Sequence, residues 1–106
     1  MAKIKMVTED GIFFEDESKI TYDHCSDCCE WNYADFGQLD DLAMQTDFDT
    51  DNLMFESVEE AGFRFGNENN MFFVPCYSEQ NGYYSSDIQI YLNDNEVLSF
   101  ECEMVI

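Results

Sequence analysis

Over much of this chain, apolar residues recur at every second position. Successive side chains of a strand point to opposite faces of a sheet, so this spacing lays them along one face. Lys3 to Val7 alternates in this way and opens a sheet. Glu9-Asp10-Gly11 supplies a turn of the kind that joins paired strands, and Ile12-Phe13-Phe14 begins the second strand. Glu15-Asp16-Glu17-Ser18 breaks it, and Lys19-Ile20-Thr21-Tyr22 makes a third from residues that suit a pleated surface. Further on, Cys29, Trp31 and Tyr33 alternate with Glu30, Asn32 and Ala34, which predicts a half-buried strand ending at Gly37.

Two stretches depart from period two. Gln38-Leu39-Asp40-Asp41-Leu42-Ala43-Met44 spaces its apolar residues at helical intervals and predicts a short helix. Ser57-Val58-Glu59-Glu60-Ala61 carries the Ser-x-x-Glu pattern of a capped helix start, with Gly62 to stop it. Phe63-Arg64-Phe65 alternates again, and Gly66 to Asn70 turns. Met71-Phe72-Phe73-Val74 is apolar enough for a central strand whose end Pro75, lacking an N–H, pushes to an edge or bulge. Asn81-Gly82 is the clearest turn in the chain. Ser86 to Leu92 aligns Ile88, Ile90 and Leu92, Asn93-Asp94-Asn95 turns, and Val97 to Ile106 sets Phe100, Cys102 and Met104 against Glu101 and Glu103. The expected fold is α+β: mainly antiparallel sheet of about six or seven strands with one or two short helices. Residues 1–106 are expected to form a single domain, since no linker, repeat or low-complexity tract interrupts them.

Charge changes this picture more than length does. Four basic and twenty-four acidic residues give a net charge of −20 on 106 residues. A folded chain of this length is a body about 34 Å across. Duplex DNA of that length carries about 20 negative charges. The protein thus matches, in net charge, a DNA cylinder of its own length. Such a surface repels nucleic acid and anionic membranes and attracts basic surfaces and cations. Five cysteines cannot all pair internally. Adjacent Cys28 and Cys29 bridge each other only with strain. No apolar run resembles a signal peptide or a membrane span, so a reduced, cytoplasmic, soluble protein is expected.

Candidate chemistry concentrates between Asp23 and Tyr33, which hold the only histidine, the only tryptophan and three of the five cysteines. Cys25-x-x-Cys28 is half of a common zinc site, with His24 as a further ligand. The second half is missing unless sheet neighbours bring Cys76 and Cys102 close. No cofactor is expected otherwise, because a buried cysteine is more often just a small core residue. His24 beside Cys28 or Cys29 suggests a base and a nucleophile. An extended backbone holds residues four apart roughly 13 Å from each other, and the acidic surroundings raise a thiol pKa. Catalysis is therefore not expected. Asp47-x-Asp49-x-Asp51 begins like a calcium loop, but Asn52 stands where glycine is needed and Val58 where a bidentate glutamate is needed. The densest acidic tract is Asp40, Asp41, Asp47, Asp49, Asp51, Glu56, Glu59 and Glu60. It suits the basic groove of a nucleic-acid-binding protein, and it equally suits plain solubility.

Two patches, His24-x-x-Asp27-Cys28-Cys29-Glu30 and Asn81-Gly82-Tyr83-Tyr84-Ser85, resemble a family of small uncharacterised proteins from phages and phage-rich bacterial genomes. Cys25 and Pro75-Cys76 are not part of that pattern. No activity comes with the resemblance; it implies a phage-type context, in which antagonists of host nucleic-acid enzymes are common. The expectation is a non-enzymatic inhibitor, anti-restriction or anti-CRISPR-like, working as a monomer or dimer. It would block a basic nucleic-acid-binding protein with its carboxylates and with Tyr83 and Tyr84, touching neither nucleic acid nor membrane. The alternatives are a zinc- or thiol-site domain centred on His24 to Cys29, or a phage structural or assembly component.

Overall fold

The computed structural model describes residues 1–23, 31–58, 61–79 and 87–105. Among them, ten strands follow one another: β1 (Ile4–Val7), β2 (Gly11–Phe14), β3 (Lys19–Asp23), β4 (Trp31–Ala34), β5 (Met54–Val58), β6 (Gly62–Asn67), β7 (Asn70–Glu79), β8 (Asp87–Leu92), β9 (Asn95–Glu101) and β10 (Glu103–Val105). They form two sheets. The first is antiparallel in the order β1-β2-β3-β8-β9. The second runs β10-β7-β6-β5, with β4 also paired to β7; only β10 lies parallel to its neighbour. The body measures 42 × 22 × 20 Å.

The core lies between the sheets. Ile12, Phe14, Ile20, Ile88 and Ile90 come from the first, and Phe63, Phe65, Val74 and Cys76 from the second. Phe48, on the segment joining β4 to β5, is buried between them. Its ring centre stands 5.6 Å from that of Phe14, 5.6 Å from Phe65 and 5.8 Å from Phe72. Ala2 and Phe48 exchange backbone hydrogen bonds of 2.9 and 2.8 Å, which hold this segment against the start of the chain.

The sheet character expected from the period-two pattern is present, but among the described residues the helices are not, so the fold is closer to all-β than to α+β. Gln38 to Met44 forms parts of two 3-10 turns, Phe36–Gln38 and Asp41–Gln45. Leu42 and Met44, half of the apparent helical stripe, are exposed, and only Ala43 of the second turn is buried. A segment this short, with only Leu39 and Ala43 turned to the core, does not repay the cost of helix nucleation. Ser57 and Val58 belong to β5, paired with Phe63 and Gly62. Ser57 is therefore a strand residue and not a helix cap. Glu59 and Glu60 lie outside the described residues.

Two strands also differ from expectation because they exchange partners. β7 does not end at Pro75. Up to Pro75 it pairs with β6; beyond it, with β4 on one side and β10 on the other. The residue without an N–H falls at the exchange, and its carbonyl accepts the Asp35 N–H at 2.8 Å. The strand expected from Val97 to Ile106 divides at buried Cys102, where the chain passes from the first sheet to the second. Gly66 adopts a φ of 149°, and a Cβ there would come within 2.3 Å of the Asn70 carbonyl oxygen. Only glycine lets β6 lie this close to the following strand.

Candidate functional site

Register and hydrogen bonds sort the acidic residues into two ends. At one, the β2–β3 turn, the β6–β7 turn and the loop before β5 meet. Asn67 fixes that loop: its Nδ2 donates to the Asp47 carbonyl at 2.8 Å, and its Oδ1 accepts the Asp49 N–H at 2.9 Å. Asn52 Nδ2 donates to Asp49 Oδ2 at 3.0 Å, and the Thr50 hydroxyl donates to Asp16 of the β2–β3 turn. The Thr50 hydroxyl and the Ser18 N–H hold the Asp16 carboxyl below the usual carboxylate range. Asp47 and Asp51 are exposed, and Asp49 is half-buried.

The rest of the expected acidic tract divides. Asp40 caps the 3-10 turn, its Oδ1 accepting the Leu42 N–H at 2.9 Å, and Asp41 is exposed at the start of that turn. Glu56 sits on the outer face of β5 opposite Arg64, whose guanidinium donates to it at 2.6 Å. Its charge is matched within the protein, which a sequence separation of eight residues does not reveal without the strand register. Glu59, Glu60, Tyr83 and Tyr84 lie outside the described residues, as do His24, Cys25 and Cys28.

Among the described residues, no group of three or more His, Cys, Asp or Glu side chains is arranged to hold a metal ion. Asp47, Asp49 and Asp51 are preceded by a 3-10 turn and followed by a strand, not framed by two helices. Cys76 and Cys102 do come together in the core, one step before the parallel pairing of Tyr77 with Glu103. The hydrogen bond between the two thiols and their burial push the Cys76 pKa far upward, so it stays a neutral thiol. Such a group is neither a nucleophile nor a ready ligand.

The other end contains a feature that the sequence did not single out. A cleft of 740 Å³ opens where the β1–β2 turn faces β4 and the first 3-10 turn, lined by Val7 to Asp10, Tyr22 and Tyr33 to Gly37. Tyr22 packs on Phe36 with ring centres 5.8 Å apart, and Tyr33 on Tyr77 at 5.7 Å. Asp35 is held by its backbone bond to Pro75 and by Gln38, whose Nε2 donates to Asp35 Oδ2 at 2.7 Å. Thr8 Oγ1 accepts the Asp10 N–H at 3.2 Å and shapes the turn opposite. In the same β4–β7 pair, the buried Ser78 hydroxyl donates to the buried Asn32 side chain. Period-two alternation placed a strand through Tyr33 and the Asp-Gly pair marked the turn, but nothing local says that they face each other.

These features define an acid-rich, two-sheet β domain with an aromatic cleft at one end. The chain belongs to the DUF7448 family, a domain of unknown function, whose sequence model matches residues 1–102. No curated protein and no solved structure matches it. Among the described residues no helix is long and apolar enough to cross a membrane.

Proposed function

We propose that this protein is a non-catalytic binding protein whose carboxylates occupy the basic nucleic-acid-binding surface of another protein. One observation carries the reading. Asp16, Asp47, Asp49 and Asp51 are gathered at one end of the molecule, and hydrogen bonds from Asn67, Asn52 and Thr50 fix the loop that bears them. A fixed array of carboxylates loses little entropy on meeting arginines, each of which engages a carboxylate in bidentate fashion. The net charge of −20 adds long-range steering toward such a surface.

The two patches that resemble small phage proteins give the reading its setting: an anti-restriction or anti-CRISPR-like inhibitor acting in the host cytoplasm. The test is capture of partners from bacterial lysate on immobilised protein, at low and high salt, with and without competing duplex DNA. Capture that falls with salt and with DNA supports the mimic. Equal retention under all conditions removes it. Replacing Asp47, Asp49 and Asp51 by asparagine is expected to reduce the salt-sensitive fraction.

A further inference from the structure

The cleft lies at the opposite end of β2 from the Asp16 turn and has a chemistry of its own. Its volume of 740 Å³ lies in the range of small-molecule and side-chain pockets. Tyr22 and Tyr33 supply its aromatic walls, with the buried Phe36 packed behind Tyr22, while Glu9, Asp10 and Asp35 supply carboxylates from two separate segments. No lysine or arginine is among its described lining residues. A negative field acts inside it: the Tyr22 phenol is pushed above its ordinary pKa first by burial and then by the charges of Asp10 and Glu9.

Aromatic faces beside carboxylates attract a cation and repel a phosphate. A bare divalent ion does not suit the cleft, since no three ligating side chains converge among the described residues. An ammonium fits one half of this chemistry, being a compact and strongly hydrated point charge. A guanidinium fits both halves: it is weakly hydrated, stacks on aromatic rings and pairs with carboxylates through a planar fork. We infer that the cleft formed by Glu9, Asp10, Tyr22, Tyr33, Asp35 and Phe36 binds an arginine side chain presented by a peptide segment of a partner protein. Asp35 is already oriented by Gln38 and by the Pro75 carbonyl, so little ordering is needed on binding. The inference goes beyond the proposed function and stands whatever the acidic end binds.

Titration calorimetry with the whole protein tests it. The probe is acetyl-Gly-Arg-Gly-amide, compared with the same peptide carrying citrulline, which keeps the shape and loses the charge, or lysine. The arginine peptide is expected to bind at least roughly tenfold more tightly than either. Equal affinity for the citrulline peptide overturns the guanidinium assignment, and equal affinity for free argininamide overturns the assignment to a peptide. The double variant Asp10→Asn/Asp35→Asn is expected to weaken the arginine peptide roughly tenfold, a loss of one charge-assisted pair or more. Glu15→Gln/Glu68→Gln removes the same charge from exposed turn positions outside the cleft and is expected to leave the affinity within about twofold. Equal losses in both variants mean that net charge alone draws the peptide, and the cleft is then no site. Net charge draws the lysine peptide as strongly as the arginine peptide, so equal affinity of the unmodified protein for these two overturns the proposal even where a variant fails to fold.

Discussion

The two ends of this molecule use the same residue type in opposite ways. At the acidic end, Asp16 and Asp49 accept hydrogen bonds from the protein itself, while Asp47 and Asp51 stand out into solvent. At the cleft end, Glu9, Asp10 and Asp35 rim a hollow walled by tyrosines. A convex array of charges acts at a distance and is screened by salt. A hollow that partly excludes water acts at contact, where each charge counts for more. Net charge therefore marks the whole protein as attractive to cations, whereas only local shape separates attraction from recognition.

Phe48→Ala breaks the comparison most severely, because that ring lies between the sheets and anchors the acidic loop. Urea unfolding is expected to show a loss of about 3–5 kcal/mol, as for other buried phenylalanines. Asn32→Ala strikes the buried β4–β7 pair, on the strand that carries Tyr33. It removes a buried hydrogen bond from the Ser78 hydroxyl and is expected to cost about 1 kcal/mol in the same measurement.

Asn67→Ala addresses the acidic end alone. Losing its two bonds to the loop is expected to cost about 1–2 kcal/mol. Amide exchange is expected to quicken at Asp49 and to stay unchanged at Asp35. Faster exchange at both would show that the two ends are not separate.

The smallest effect concerns Tyr22 and appears only in alkali. Its raised pKa means that the neutral phenol contributes stability fully present below the ordinary tyrosine value of about 10. That contribution is lost as pH rises through the folded value, because the unfolded chain releases the proton first. Tyr22→Phe is therefore expected to resist alkaline unfolding better than the natural protein, and to match it near neutrality.

Strands β1, β2, β3 and β8 were legible in the sequence because alternation and turn residues agreed, as at Asp10-Gly11 and Asn93-Asp94. The helix expected at Gln38 to Met44 was misleading because spacing alone cannot say whether Leu42 and Met44 have anything to cover. β7 and the last strand were mis-bounded for one reason: Pro75 and Cys102 mark changes of partner, and partners are not local. Of the candidate site, Asp47, Asp49 and Asp51 stood out by density, but their fixation by Asn67 did not. The cleft was illegible altogether, since it exists only once the turn carrying Glu9 and Asp10 faces a strand of the other sheet.

The strand order has a further consequence for how the chain assembles. β5, β6 and β7 are consecutive and close short loops, whereas Lys19 waits for Asn93, 74 positions later, before its backbone N–H is bonded. Loop-closure entropy favours the nearer pairing first. During synthesis on the ribosome, β3 would thus emerge early and keep an open rim until the last quarter of the polypeptide appears. Pulse-labelled hydrogen exchange during refolding is expected to protect Phe65 before Tyr22. In that interval mutual repulsion between heavily anionic chains would keep one unfinished copy from zipping onto another.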